Sequence, residues 1–218
     1  MNPDTESASS EFKELTAEQL AIRAKQGCRR SFNELVERFH SRLVRFLQAE
    51  TAYPQSAEDL AQETFVRAWQ NISKYRSRWR FSTWLYTIGY RLACNYRTDL
   101  PIELARMSSP GKAQPPDVLA ENRETIRMLW DIATELPNNQ YKALWLKYAE
   151  DMSIKEIAKV MGKSNINVKL MLYRARTGLA KRLKPDIFET GGTNADTGNS
   201  LLSRKAKGQK CGAIFTDL

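Results

Sequence analysis

Apolar residues along most of the chain recur at spacings of three and four, the signature of helices with one buried face. The first predicted helix opens at Thr16, where Thr16 and Gln19 have capping-box spacing and Leu15 and Leu20 staple spacing. It runs to about Lys25 and stops near Gly27. A second, opened by Ser31 with Glu34, carries Phe32, Leu35, Val36, Phe39, Leu43 and Leu47, and Tyr53-Pro54 ends it or its following loop. A third, opened by Ser56 with Asp59, buries Ala57, Leu60, Ala61, Phe65, Ala68 and Ile72. Lys74–Arg80 reads as a basic loop. Ser82 then caps a helix over Thr83–Tyr96, with Leu85, Ile88 and Leu92 inward.

Residues 98–117 hold four prolines with Ser108, Ser109 and Gly111, which marks a linker between two helical domains. Asp117 is a candidate cap for the next helix, with Leu119, Ile126, Leu129, Ala133 and Leu136 apolar. Pro137 breaks it. Asn138 restarts a helix carrying Tyr141, Leu144, Trp145 and Tyr148. The pattern that follows is the most specific local one. Ser153 and Glu156 form a capping box and Met152 with Ile157 a staple. Ala158, Gly162 and Val168 have helix-turn-helix spacing: a small residue for close packing, a glycine for the left-handed turn, a branched residue to lock the second helix. Ser164 caps that second helix, whose inward residues are Val168, Leu172, Ala175, Leu179 and Leu183. The expected fold is therefore all-α. Residues 1–14 are expected to be disordered, 15–98 and 118–184 to form two small domains joined by 99–117, and 185–218 to be a disordered tail.

Charge sharpens this picture. The 218 residues carry 34 basic and 25 acidic side chains, a formal net charge of +9. From Pro185 onward four cations balance four anions, so the whole excess belongs to residues 1–184. A polyanion partner follows, nucleic acid before membrane. No apolar run approaches the roughly 20 residues of a membrane span, and a soluble, cytoplasmic chain is expected. Cys28, Cys94 and Cys211 are odd in number and far apart, against a disulfide framework or zinc site. His40, the single histidine, reads as a helix-surface residue. No phosphate loop or catalytic motif is present, so neither an enzyme nor a cofactor is expected.

Two stretches then stand out. Lys74 to Arg97 interleaves six cations, including Lys74, Arg76 and Arg80, with seven aromatics, including Phe81, Trp84, Tyr86 and Tyr96, and contains no acid. Cations neutralise phosphate and flat rings stack on unpaired bases. The alternative is an aromatic core helix with a solvated basic face. From Ser164 to Lys184 there are six cations and again no acid. A recognition helix offers its first turns to base edges, so Asn165, Asn167 and Lys169 are the candidate base readers, with Arg174 and Arg176 on phosphate. Asp59, Gln62 and Glu63 share one face of the third helix, either a solvated acidic face near the helix N-terminus or a docking surface.

The stretch from Ser56 through Tyr96, with the segments SAEDLAQETF and RFSTWLY, resembles region two of sigma-70-family RNA polymerase sigma factors of the extracytoplasmic-function group. The stretch from Leu136 to Leu183 resembles their region four. The resemblance implies a sigma factor that guides core RNA polymerase to promoters and helps to melt the minus-ten region. Asp59, Gln62 and Glu63 would dock on the beta-prime clamp. Lys74, Arg76, Arg80, Phe81, Trp84, Tyr86, Asn95 and Tyr96 would bind or melt the minus-ten DNA. Ser164, Asn165, Asn167, Lys169, Arg174 and Arg176 would bind the minus-thirty-five element. The implied partners are core polymerase, through its beta-prime clamp and beta flap, promoter DNA and an anti-sigma factor, in the bacterial cytoplasm at the nucleoid and without membrane insertion. The recognition helix departs from the family pattern: Ile166 replaces a glycine, Asn167 a threonine, and Leu170 and Met171 a serine and an arginine. Alternatives are a conventional helix-turn-helix regulator that binds duplex DNA only, and a helical RNA- or protein-binding adaptor.

Overall fold

A computed structural model of the chain describes residues 12–51, 54–99 and 123–183. Among the described residues every regular element is helical. Four α-helices make the first half: α1 (Ala17–Lys25), α2 (Arg29–Gln48), α3 (Pro54–Gln70) and α4 (Phe81–Asp99). A short 3₁₀ turn, Ile72–Lys74, leads from α3 into the basic loop. The second half comprises α5 (Arg123–Ala133), α6 (Asn138–Leu144), a wide π-helical turn at Trp145–Ala149, α7 (Ile154–Met161) and α8 (Asn165–Leu183).

The apolar stripes meet as their spacing requires. Helix α2 packs on α1, α3 and α4, burying Phe32, Leu35, Phe39, Leu43 and Leu47. All six apolar residues expected to face inward from Ala57 to Ile72 are buried. In the second half α8 packs on α5, α6 and α7 through Val168, Leu172, Ala175 and Leu179. A tight aromatic group of Trp130, Tyr141 and Trp145, with ring centroids 5.2–6.2 Å apart, fills the space beneath it.

Local chemistry explains most boundaries. Thr16 and Ser153 both form complete capping boxes. Gly162 ends α7 at φ 61°, the left-handed turn that a residue with a Cβ adopts at a cost. Ser164 Oγ accepts from the Asn167 N–H at 3.2 Å.

Three starts differ from expectation. α2 begins at Arg29, and Ser31 is buried inside it, donating its hydroxyl to Cys28 Sγ. α3 begins at Pro54, a favoured first helical position because proline's missing N–H has no partner there to lose, so Ser56 lies within the helix. α4 begins at Phe81, whose N–H is capped at 3.0 Å by Glu18 of α1, and Ser82 is buried. In each case a nearby serine mimicked a local cap. Residues 12–14, expected to be disordered, form a helical turn. Arg38 clamps it by donating to the carbonyls of Phe12, Lys13 and Leu15. The expected cap at Asp117, most of the linker and the tail lie outside the described residues.

The two halves touch. Helix α4 packs against α7, and the contact is built from charge as well as packing. Lys142 on α6 pairs with Glu50 at the end of α2, both side chains being fully buried. Arg42 of α2 binds Glu150 at 2.8 Å, and Tyr86 of α4 donates to the same carboxylate at 2.6 Å. Asn138 Nδ2 donates to the Ala49 carbonyl at 2.8 Å.

Candidate nucleic-acid interface

Helix α3 presents its acidic face to solvent. Asp59 and Gln62 are exposed and Glu63 is half-exposed, while the buried stripe of the same helix faces α2. Glu63 holds Arg67 at 2.6 Å and Asp59 accepts from Gln55 at 3.3 Å. Both are weak surface contacts that a partner's cations could replace. Val66 adds an exposed apolar residue one turn beyond Gln62. The single histidine, His40, is half-exposed and bridges to Glu58 at 3.0 Å.

The basic loop and the start of α4 form a second surface. Lys74, Arg76 and Arg80 are exposed, as is Asn95 at the far end of the helix. Behind them Phe39, Tyr75, Phe81 and Trp84 stack in a chain of rings with centroids 5.4–5.8 Å apart. Only Trp84 of that chain reaches partway to solvent. Phe81 and Tyr86, both expected to contact DNA, are fully buried. Phe81 lies at the point where α1, α2 and α4 converge. Tyr86 is covered by the second half of the chain, and burial together with the Glu150 carboxylate holds its phenol well above the usual range. Tyr96 is half-buried and donates to Ser56 Oγ at 3.0 Å.

The second half also engages this surface. Arg80 donates to the Asp151 carbonyl at 2.8 Å, and Thr83 to Glu156 at 2.9 Å. Lys159 sits 3.8 Å from the centroid of the Trp79 ring. Burial first, then repulsion from Arg78 and Arg91, lowers the pKa of that lysine. These long-range partners have no local sequence signal. Glu18, Glu150 and Glu156 lie more than sixty residues from Phe81, Tyr86 and Thr83, the α4 groups they bind.

The third surface is α8. Ser164, Asn165, Asn167, Lys169 and Arg174 are all exposed and Arg176 is half-exposed. Lys163 precedes them, and no carboxylate lies between Ser164 and Leu183. The structure thus brings the basic loop and α4 together on the first half and gathers the exposed polar and basic residues of α8 on the second, with the acidic face of α3 apart from both.

Among the described residues no group of histidine, cysteine and carboxylate side chains could hold a metal ion. Nor is any described helix long and apolar enough to cross a membrane. Fold and surfaces together define a helical, DNA-directed chain with a helix-turn-helix half. Residues 35–100 match the family model for sigma-70 region 2 and residues 126–179 that for sigma-70 region 4, together more than half of the chain. The chain belongs to the sigma-70 family of RNA polymerase sigma factors, in its extracytoplasmic-function group. It is 27% identical over 198 residues to the extracytoplasmic-function sigma-E factor of Haemophilus influenzae, covering 79% of this chain and 98% of that one. It is 28% identical over 162 residues to the sigma factor YlaC of Bacillus subtilis, covering 71% and 93%. The fold is similar to that of CnrH, solved with the cytosolic domain of CnrY, at a TM-score of 0.55 and 24% identity, covering 78% of this chain and 97% of that one. It is also similar to RpoE of Bartonella quintana, solved with the anti-sigma factor NepR, at a TM-score of 0.56 and 21% identity, covering 71% and 98%.

Proposed function

We infer that the chain is a sigma factor that directs core RNA polymerase to specific promoters and helps to open the minus-ten region. The observation that carries this reading is the joint presence, in one chain of this family, of an exposed acidic face on α3, a basic loop ahead of an aromatic helix, and an acid-free recognition helix. A regulator that binds duplex DNA alone would need only the last. The chain contributes binding energy and no covalent chemistry, and it works in the cytoplasm at the nucleoid, where polymerase and promoter are.

Asp59, Gln62 and Glu63 are assigned to the beta-prime clamp and α8 to the minus-thirty-five element, with the second half also meeting the beta flap. Lys74, Arg76 and Arg80 hold phosphates beside the minus-ten element. Trp84 offers the stacking ring, with Asn95 and Tyr96 further along α4. Phe81 and Tyr86 act from behind: Phe81 supports the Trp84 ring, and Tyr86 becomes available to DNA only when the second half moves away. Flipping a base costs a few kcal/mol, and stacking on an aromatic ring recovers about 1–3 kcal/mol per base. An anti-sigma factor is assigned as a further partner, in keeping with the similar RpoE of Bartonella quintana, which was solved in complex with the anti-sigma factor NepR.

The test is capture of core polymerase by the purified full chain, followed by transcription from a pool of genomic fragments. Specific initiation is expected. Glu63→Lys should lose polymerase capture by tenfold or more while its affinity for duplex DNA is unchanged. Wild-type capture by that variant would remove the clamp assignment. DNA binding without any polymerase capture by the wild type would favour the duplex-only regulator.

A further inference from the structure

Helix α8 turns an apolar stripe to solvent on the side where base edges are to be read. Ile166, Leu170 and Tyr173 are 77%, 42% and 61% exposed. Their spacings of four and three put them on one face, opposite the buried Val168, Leu172, Ala175 and Leu179. A large apolar stripe facing water marks a binding surface rather than a neutral decoration.

Its surroundings say what kind of surface it covers. Lys163, Asn165, Asn167, Lys169 and Arg174 flank it, all exposed, with no carboxylate from Ser164 to Leu183. The centres of protein–protein interfaces are depleted in lysine and in charge generally, so this rim suits a polyanion. Within the DNA major groove the one apolar group on a base edge is the 5-methyl of thymine.

Resting on the sigma-factor reading above, we propose that Ile166 and Leu170 read thymine methyl groups in the upstream promoter element, beside the polar readers Asn165, Asn167 and Lys169. Ile166 stands in the first turn of α8, where a recognition helix meets the bases, and the Ser164 cap fixes that turn. As a β-branched residue it has few χ1 rotamers to lose on binding. Four residues of helix rise about 6 Å and successive bases of a strand about 3.4 Å. The two thymines should therefore lie about two base pairs apart.

Deoxyuridine in place of thymidine removes the methyl group and nothing else. The full chain with core polymerase would first select its upstream element from a randomised duplex pool. Each thymine of the selected element would then be replaced singly and affinity measured. Two thymines about two base pairs apart should each lose about fourfold on replacement, the worth of roughly one buried carbon group. Ile166→Ala should bind thymine DNA about fourfold more weakly, become indifferent to replacement at one of these positions and stay sensitive at the other. Leu170→Ala should show the reverse. Both residues are exposed, so loss of folding does not mimic this pattern, and retained sensitivity at the second position checks it. Equal affinity for thymine and deoxyuridine at every position would overturn the proposal, leave the sigma-factor reading standing and hand the stripe to a protein partner. Selection of no element at all would overturn the sigma-factor reading and this inference with it.

Discussion

Glu156 joins two tasks in one carboxylate. It completes the capping box of α7 with Ser153 and accepts from Thr83 on α4. Burial pulls its carboxyl upward, but the Ser153 backbone and side-chain donors, Thr83 and the nearby Arg80 outweigh that and leave it below its usual 4.5. A depressed carboxylate contributes stability that is present above the unfolded value and is lost as pH falls through the folded one. Thermal stability should therefore fall as pH drops below about 4.5, and Glu156→Gln should flatten that limb while lowering Tm at neutral pH. An unchanged acid limb in the variant would refute the assignment. Glu150 acts in the opposite sense. Burial raises its pKa despite Arg42 and Tyr86, so its unfavourable contribution grows as pH rises, and the variant isolates Glu156 from it. Trp84 is the half-exposed end of the ring chain. Trp84→Ala should slow promoter opening about tenfold, from a stacking loss on the order of 1–3 kcal/mol, with closed-complex affinity nearly unchanged. Permanganate reactivity of unpaired thymines against time measures this.

At the scale of elements, legibility follows the range of the interaction that decides each feature. The capping boxes at Thr16 and Ser153 and the turn at Gly162 are settled within four residues of sequence, and the structure places them as expected. Gly162→Ala puts a Cβ on a backbone at φ 61°, which costs about 1–2 kcal/mol. Tm should fall by several degrees, and Gly162→Asn should recover part of the loss because asparagine tolerates the left-handed region. The start of α4 is not legible locally because its cap is Glu18 on another helix, while Ser82 supplies a false local signal. The stripes of α2, α3 and α8 were legible because periodicity reports which face is buried. It does not report which buried ring is close to the surface, and so Phe81 and Tyr86 looked equivalent to Trp84. Nor does it distinguish an exposed apolar residue from a core one. Ile166, Leu170 and Tyr173 have helical spacing too, and only their exposure sets them apart.

At the scale of the molecule, the contact between halves is in tension with the function. Arg80 and Tyr86 belong to the set assigned to the minus-ten element, yet here they hold Asp151 and Glu150, and their neighbour Thr83 holds Glu156. If those assignments hold, the same side chains cannot do both, and we infer that the described arrangement is a closed one and that promoter opening draws on a separated form. A binding-competent state that is only partly populated weakens apparent affinity by its own fraction. The most deeply buried ion pair between the halves, among the described residues, is that of Lys142 and Glu50, whose cation also lies 5.0 Å from the Tyr90 ring centroid. Removing one member of such a pair leaves a buried charge alone and costs about 3–5 kcal/mol, whereas replacing both with apolar residues of similar volume is often neutral. Lys142→Met should therefore loosen the closed form, seen as a larger radius of gyration in solution scattering and a lower Tm. The double variant Lys142→Met, Glu50→Leu should return both to near wild type. If closure opposes promoter binding, the single variant should also gain affinity for a pre-melted minus-ten duplex in complex with polymerase, and the double variant should lose that gain. A single variant as compact as wild type would show that the pair does not hold the halves together.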